Sequence, residues 1–258
     1  MNSERRKFLQ GAALLGGGLF ASRSMADTQH EQHTQPAKKP GTPTKPTIPG
    51  KPLESFQPTD VLTPVLTLDV PNLPFKVENG VKVFHLIAEP VKRQLLPFKT
   101  MDVWGYSGSC PGPTIQANQG DRVRIVFDNH LPDSTTIHWH GLEVPIHMDG
   151  VPYVSQKPVP PGGRYIYEFT LHQEGTYFYH SHGAMQEMMG MIGMFILHPK
   201  RAYLPRVDHD FGIILQGWAI LPNNSVPNTA NMEFNWLTFN GVSGPATTPL
   251  LVRLGSRA

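Results

Sequence analysis

Residues 121–128 alternate with a period of two: Val123, Ile125 and Phe127 fall on one face of an extended chain, Arg122 and Arg124 on the other. A strand buries such a face in one piece, whereas a helix would scatter it around its axis. The chain repeats the pattern at short intervals, over 81–88, over 164–170 after the turn Pro160-Pro161-Gly162-Gly163, over 176–180 and over 192–197. Short strands set off by turn residues, with no sustained 3.6-residue periodicity, predict one complete all-β sandwich or barrel over 60–200. With 26 Pro and 24 Gly in 258 residues, the composition favours turns between strands over helices. Further apolar runs at 211–215, 236–239 and 250–254 open a second unit over 204–258. They are too few to close another sandwich, so an incomplete second domain with an exposed apolar edge is expected.

The start of the chain reads differently. Arg5-Arg6-Lys7-Phe8-Leu9, a short apolar run from Gly11 to Ala21 and the small residues Ser24 and Ala26 fit a cleavable export signal over 1–26. The paired arginines resemble a twin-arginine signal, which predicts an exported, periplasmic or extracellular protein. The apolar run is too short and glycine-rich to span a bilayer, and no membrane association is expected once the signal is removed. Residues 27–58 turn to Pro, Lys, Thr, Gly and Gln, a linker in which His30 and His33 are ordinary solvated side chains. Arg5, Arg6, Lys7 and Arg23 account for the whole net charge of +2, so the remainder is nearly neutral and offers no basic surface for nucleic acid. Cys110 is the single cysteine, which rules out an intramolecular disulfide.

Within the expected sandwich lie two His-x-His pairs, His138-Trp139-His140 and His180-Ser181-His182. In a strand, residues i and i+2 point the same way, so each pair presents two imidazoles to one side and turns Trp139 or Ser181 to the other. Imidazole suits copper, zinc, iron and nickel, and copper generally binds tightest among the divalent ions. Two such pairs on strand-like segments make a metal site the better reading, although one pair alone could be packing. His85, His147, His172, His198 and His209 have no such partner; His147 stands out only by lying near Asp149.

The surroundings of the pairs resemble the first cupredoxin domain of multicopper oxidases. The residues that carry the resemblance are His138 to Pro145, Asp149-Gly150-Val151-Pro152, Pro160-Pro161-Gly162 and Gly175 to His182, with Pro111 to Ile115 and Asn118 to Asp121 upstream. It is continuous over about 80–200 and weaker to the end of the chain. It implies a cupredoxin-like Greek-key β-sandwich followed by a partial second cupredoxin domain. It further implies an oxidase that couples one-electron oxidation of a small reducing substrate or metal ion to reduction of dioxygen to water. By this resemblance His138 would ligate a type 2 copper and His140, His180 and His182 a type 3 pair. Asp149 would sit beside the type 2 copper as a proton-delivering acid, its plainer reading being a turn residue before Gly150.

The departures are equally specific. Ser181 stands between the second pair, so no type 1 copper is expected there, and Cys110 has no neighbouring histidine and reads as an inert small residue. The family's two C-terminal histidine motifs are absent, so this chain would furnish half of a trinuclear site and no electron-entry copper. A complete reaction would then need a longer version of the polypeptide or a partner subunit, and a homo-oligomer is admitted by two-domain relatives. The alternative is an exported copper-binding half-site without turnover; a copper nitrite reductase and zinc hydrolysis are remote. Met185, Met188, Met189, Met191 and Met194 are either flexible packing or soft ligands for cuprous ion.

Overall fold

The computed structural model describes residues 63–183, 185–201, 205–223, 225–226 and 233–258; the expected signal and linker at 1–58 lie outside them. The alternating segments form strands: β1 (Val65–Leu66), β2 (Phe75–Glu78), β3 (Val81–Leu96), β4 (Lys99–Tyr106), β5 (Gly112–Asn118), β6 (Arg122–Asn129), β7 (Ile137–His140), β8 (Arg164–Thr170), β9 (Gly175–Ser181), β10 (Ile192–His198), β11 (Asp210–Phe211), β12 (Leu215–Trp218) and β13 (Trp236–Phe239). One sheet runs β2-β3-β6-β8 with β4 also on β3, and the other runs β5-β10-β9-β7. The pairs β3/β6 and β5/β10 are parallel while their neighbours are antiparallel, which requires the chain to cross between layers.

The side chains that alternate inward make the sandwich. Phe84 and Leu86 of β3, Val123, Ile125 and Phe127 of β6 and Tyr167 of β8 meet Ile115 of β5, Trp139 of β7, Tyr179 of β9 and Phe195 of β10 in one buried cluster. Burying each large aliphatic or Phe side chain is worth roughly 1.5–3 kcal/mol, so this layer dominates the stability of the fold. On the outer face Arg122 and Arg124 both reach Glu168 across the β6–β8 ladder, with bonds of 2.8 and 2.6 Å.

β3 is twice as long as the alternation at 81–88 suggested, because its far half changes partners. Val91, Leu95 and Leu96 turn with Met101 and Val103 of β4 towards Cys110, Trp218, Ile220 and Val226, a second apolar cluster that ties the segment after Pro199 to the sandwich. The strand expected over 211–215 is interrupted there. Asn240 explains the break: its Oδ1 accepts from the Ile214 N–H and its Nδ2 donates to the Gly212 and Leu68 carbonyls, where a ladder partner would otherwise stand. Residues 250–254 form no strand, and Leu250, Leu251, Val252 and Leu254 are exposed. The two-stranded β12–β13 ribbon also leaves Leu215, Trp236, Leu237 and Phe239 exposed, as expected of an apolar edge.

Candidate metal centre

The register of β7 against β9 builds the site. His138 lies directly opposite His180, and His140 opposite Phe178, so the two pairs share one face of the sheet edge. Trp139 and Ser181 alternate to the other side and are 0% and 2% exposed, as the period-two argument requires. Trp139 sits in the aromatic core against Tyr167, Phe169, Tyr179 and Phe195 at centroid distances of 5.1–6.1 Å. Ser181 is clamped by polar neighbours instead: its Oγ lies 2.9 Å from Thr135 Oγ1, donates to Gln186 Oε1 at 2.5 Å and accepts from the Gly183 N–H.

Ligand atoms of His138, His140 and His180 all lie within 4.8 Å of one another, the one such cluster among the described residues. His182 completes the face, its ring 5.5 Å from that of His138 and 6.0 Å from that of His180. His140 Nδ1 and His180 Nε2 face one another at 3.2 Å. At imidazole–metal bonds of about 2.0–2.1 Å, that separation subtends roughly 100° at a shared ion, so the pair fits a first-row metal. His140 stacks on Phe178 at 4.3 Å, which fixes its plane.

Hydrogen bonds set which nitrogen is free. His138 donates from Nδ1 to the Asp149 carbonyl at 2.7 Å, and His180 from Nδ1 to the Ser181 carbonyl at 2.9 Å. Each bond leaves Nε2 with a free lone pair, as metal-ligating histidines need, and on His180 that nitrogen faces His140. Burial, together with the neighbouring His138 and His140, pulls the His180 pKa below its ordinary value, against an upward pull from Glu187. The ring is therefore held towards the neutral, ligating form. His180 is buried and His138 half-buried, while His140 and His182 are exposed, so the face opens to solvent.

Asp149 ends a 3-10 turn over Ile146–Met148, which the Tyr165 hydroxyl pins to β8 through a 2.8 Å bond to the His147 carbonyl. The turn places its carbonyl on His138, and its carboxylate lies 3.4 Å from the same Nδ1. Gly150 makes this possible, since its φ is +81° and a Cβ would overlap the Ile137 carbonyl. His147 does not join the cluster.

Other candidates resolve into packing. Cys110 is buried against the Gly190 carbonyl, and burial pushes its thiol up to about 12. Met191, Met194 and Met189 divide among three apolar clusters, and Met185 and Met188 are half-buried in the segment after the second pair. Sequence reasoning missed Glu187, whose carboxylate lies 3.2 Å from His180 Nδ1, and Gln186 behind Ser181. Neither carries a spacing signal, because both act from the turn that follows the second pair.

A β-sandwich whose edge strand β7 and its neighbour β9 present paired histidines has the form of a cupredoxin-type metal domain. The family model for multicopper oxidases matches residues 88–202, and this domain is similar to that family. Over 134 residues the chain is 35% identical to copper resistance protein A of Pseudomonas syringae pv. tomato, covering 52% of this chain and 22% of that one. It is 39% identical over 123 residues to laccase-1 of Cryptococcus neoformans var. neoformans, covering 45% and 20%. Among solved structures, a multi-copper oxidase from Pseudomonas thermotolerans aligns with a TM-score of 0.59 and 33% identity over 63% of this chain and 42% of that one. The match thus spans about a fifth of the length of the curated relatives. Copper is the metal of the proteins this domain resembles, and the all-imidazole donor set fits it.

Proposed function

We propose that this chain supplies half of a trinuclear copper site of an oxidase that couples one-electron oxidation of a small substrate to reduction of dioxygen to water. The observation that carries the reading is the convergence of His138, His140 and His180 within 4.8 Å on one open face. Copper bound there would supply one-electron redox chemistry and a binding place for dioxygen, which redox-inert zinc could not. In this assignment His138 faces a type 2 copper, and His140, His180 and His182 face a type 3 pair. The Asp149 carboxylate, next to His138 and one-third exposed, is placed to pass protons between solvent and that face. The exposed side of His140 and His182 would receive the remaining ligands from further sequence or from a second subunit. The twin-arginine-like start supports export to the periplasm.

The second reading, copper held without turnover, is favoured by one fact: the single cysteine, Cys110, is buried, protonated and has no neighbouring histidine, so it offers no entry point for electrons. Copper titration of the purified chain, followed by oxygen consumption with a phenol, Cu(I) or Mn(II) as reductant, separates the two. Copper uptake that His138→Ala and His180→Ala together abolish supports the site; equal uptake by that double variant removes it. Oxygen uptake by the copper-loaded chain, alone or with a partner, supports the oxidase, and bound copper with no oxygen uptake supports the holding protein.

A further inference from the structure

Glu187 lies on none of the strands that present the histidines, yet its carboxylate Oε2 stands 3.2 Å from His180 Nδ1. The Ser181 carbonyl already accepts from the same nitrogen at 2.9 Å. The neutral tautomer is thus fixed without Glu187, and what the glutamate adds is a negative charge directly behind the ring. Its position is built. Residues Glu187–Met189 form a 3-10 turn closed by Gly190 at φ 115°, where a Cβ would meet Cys110 Sγ at 2.5 Å and the Trp104 carbonyl at 2.6 Å. The Glu187 carbonyl in turn accepts a 3.3 Å bond from Gln216 Nε2 on β12. The segment after Pro199 therefore helps hold the turn that carries the acid.

We propose that Glu187 is a charge-positioning residue for His180: it makes the imidazole a stronger donor and favours the higher-charged copper ion on this face, with Gln216 anchoring it from the following segment. The inference rests on the copper reading above. Carboxylates behind ligating histidines orient the ring and raise its basicity, and their loss typically costs about 10–100-fold in metal affinity. A Coulombic effect scales with the charge of the ion. Neutralising Glu187 should therefore weaken Cu(II) about twice as much as Cu(I) on a logarithmic scale, whereas damage to geometry would weaken both alike.

The test is a pair of competition titrations, with Cu(II) and with Cu(I) under anaerobic conditions, on the full chain and on Glu187→Gln, which keeps the shape and an acceptor oxygen. The expected result is about a tenfold loss for Cu(II) and about a threefold loss for Cu(I), with the melting temperature of the metal-free protein unchanged. Gln216→Leu should show the same unequal losses in weaker form. Equal losses for the two ions, or none, overturn the proposal while leaving the copper site standing. A wild-type chain that binds neither ion overturns the copper reading and this inference together.

Discussion

The two arms of the site are held by opposite means. Behind His138 and His140 stands Trp139, packed among four aromatic rings in the main core. Behind His180 and His182 stands Ser181, whose hydroxyl is shared among Thr135, Gln186 and the Gly183 amide. The first arm is fixed by burial, which is large and tolerant of direction; the second by hydrogen bonds, which are smaller and tolerate little displacement. Tyr179 seats the second strand in the same core, and the polar clamp on Ser181 then fixes the end of that strand.

The comparison can be broken most severely at Trp139. Trp139→Ala should cost roughly 3–5 kcal/mol in urea unfolding and take copper binding with it, because the cavity lies under the ligand strand itself. Acid probes a charged anchor in the opposite sheet. Asp128, with its side chain 12% exposed, accepts both bonds of a fork from Arg164 and one from His85, and the Arg164 bond holds its pKa down at about 2 against an ordinary 3.8. A carboxyl depressed on folding stabilises above its unfolded pKa and loses that contribution as pH falls through the folded one. About 2 kcal/mol should therefore vanish between pH 4 and pH 2, and Asp128→Asn should flatten that part of the stability curve. Ser181→Ala leaves Gln186 and Thr135 short of a partner and should cost roughly 1–2 kcal/mol, with a larger proportional loss of copper affinity than of stability. The smallest effect belongs to Cys110: iodoacetamide at neutral pH should leave the folded protein unlabelled and label it fully in denaturant, as a mass shift would report.

Much of this was legible in the sequence because strands write their burial in alternate letters. Val123, Ile125 and Phe127 are fully buried as their spacing predicts, and Trp139 and Ser181 turn inward between the histidines. The strands β2, β4 and β5 were not anticipated. In β5 both sides are buried and no period-two signal survives, while β2 (Phe75-Lys76-Val77-Glu78) and β4 (Met101-Asp102-Val103) alternate over only three or four residues. Past Pro199 the run at 236–239 is β13 as expected, whereas those at 211–215 and 250–254 misled, the first because Asn240 takes the backbone groups that a strand there would have paired. Glu187 and Gln186 were invisible for a different reason: they reach the site from a turn, and only folding brings a turn back upon the strand before it.

The register that sets His138 opposite His180 has a consequence for folding quality. Sliding β7 by one residue would carry Trp139 into water and both of its histidines into the aromatic core, a change the sandwich cannot absorb. Chains with a mispaired edge should therefore fail to fold at all. Every molecule that passes as native already has its imidazoles assembled, and loss of the site by mispairing would appear as loss of protein.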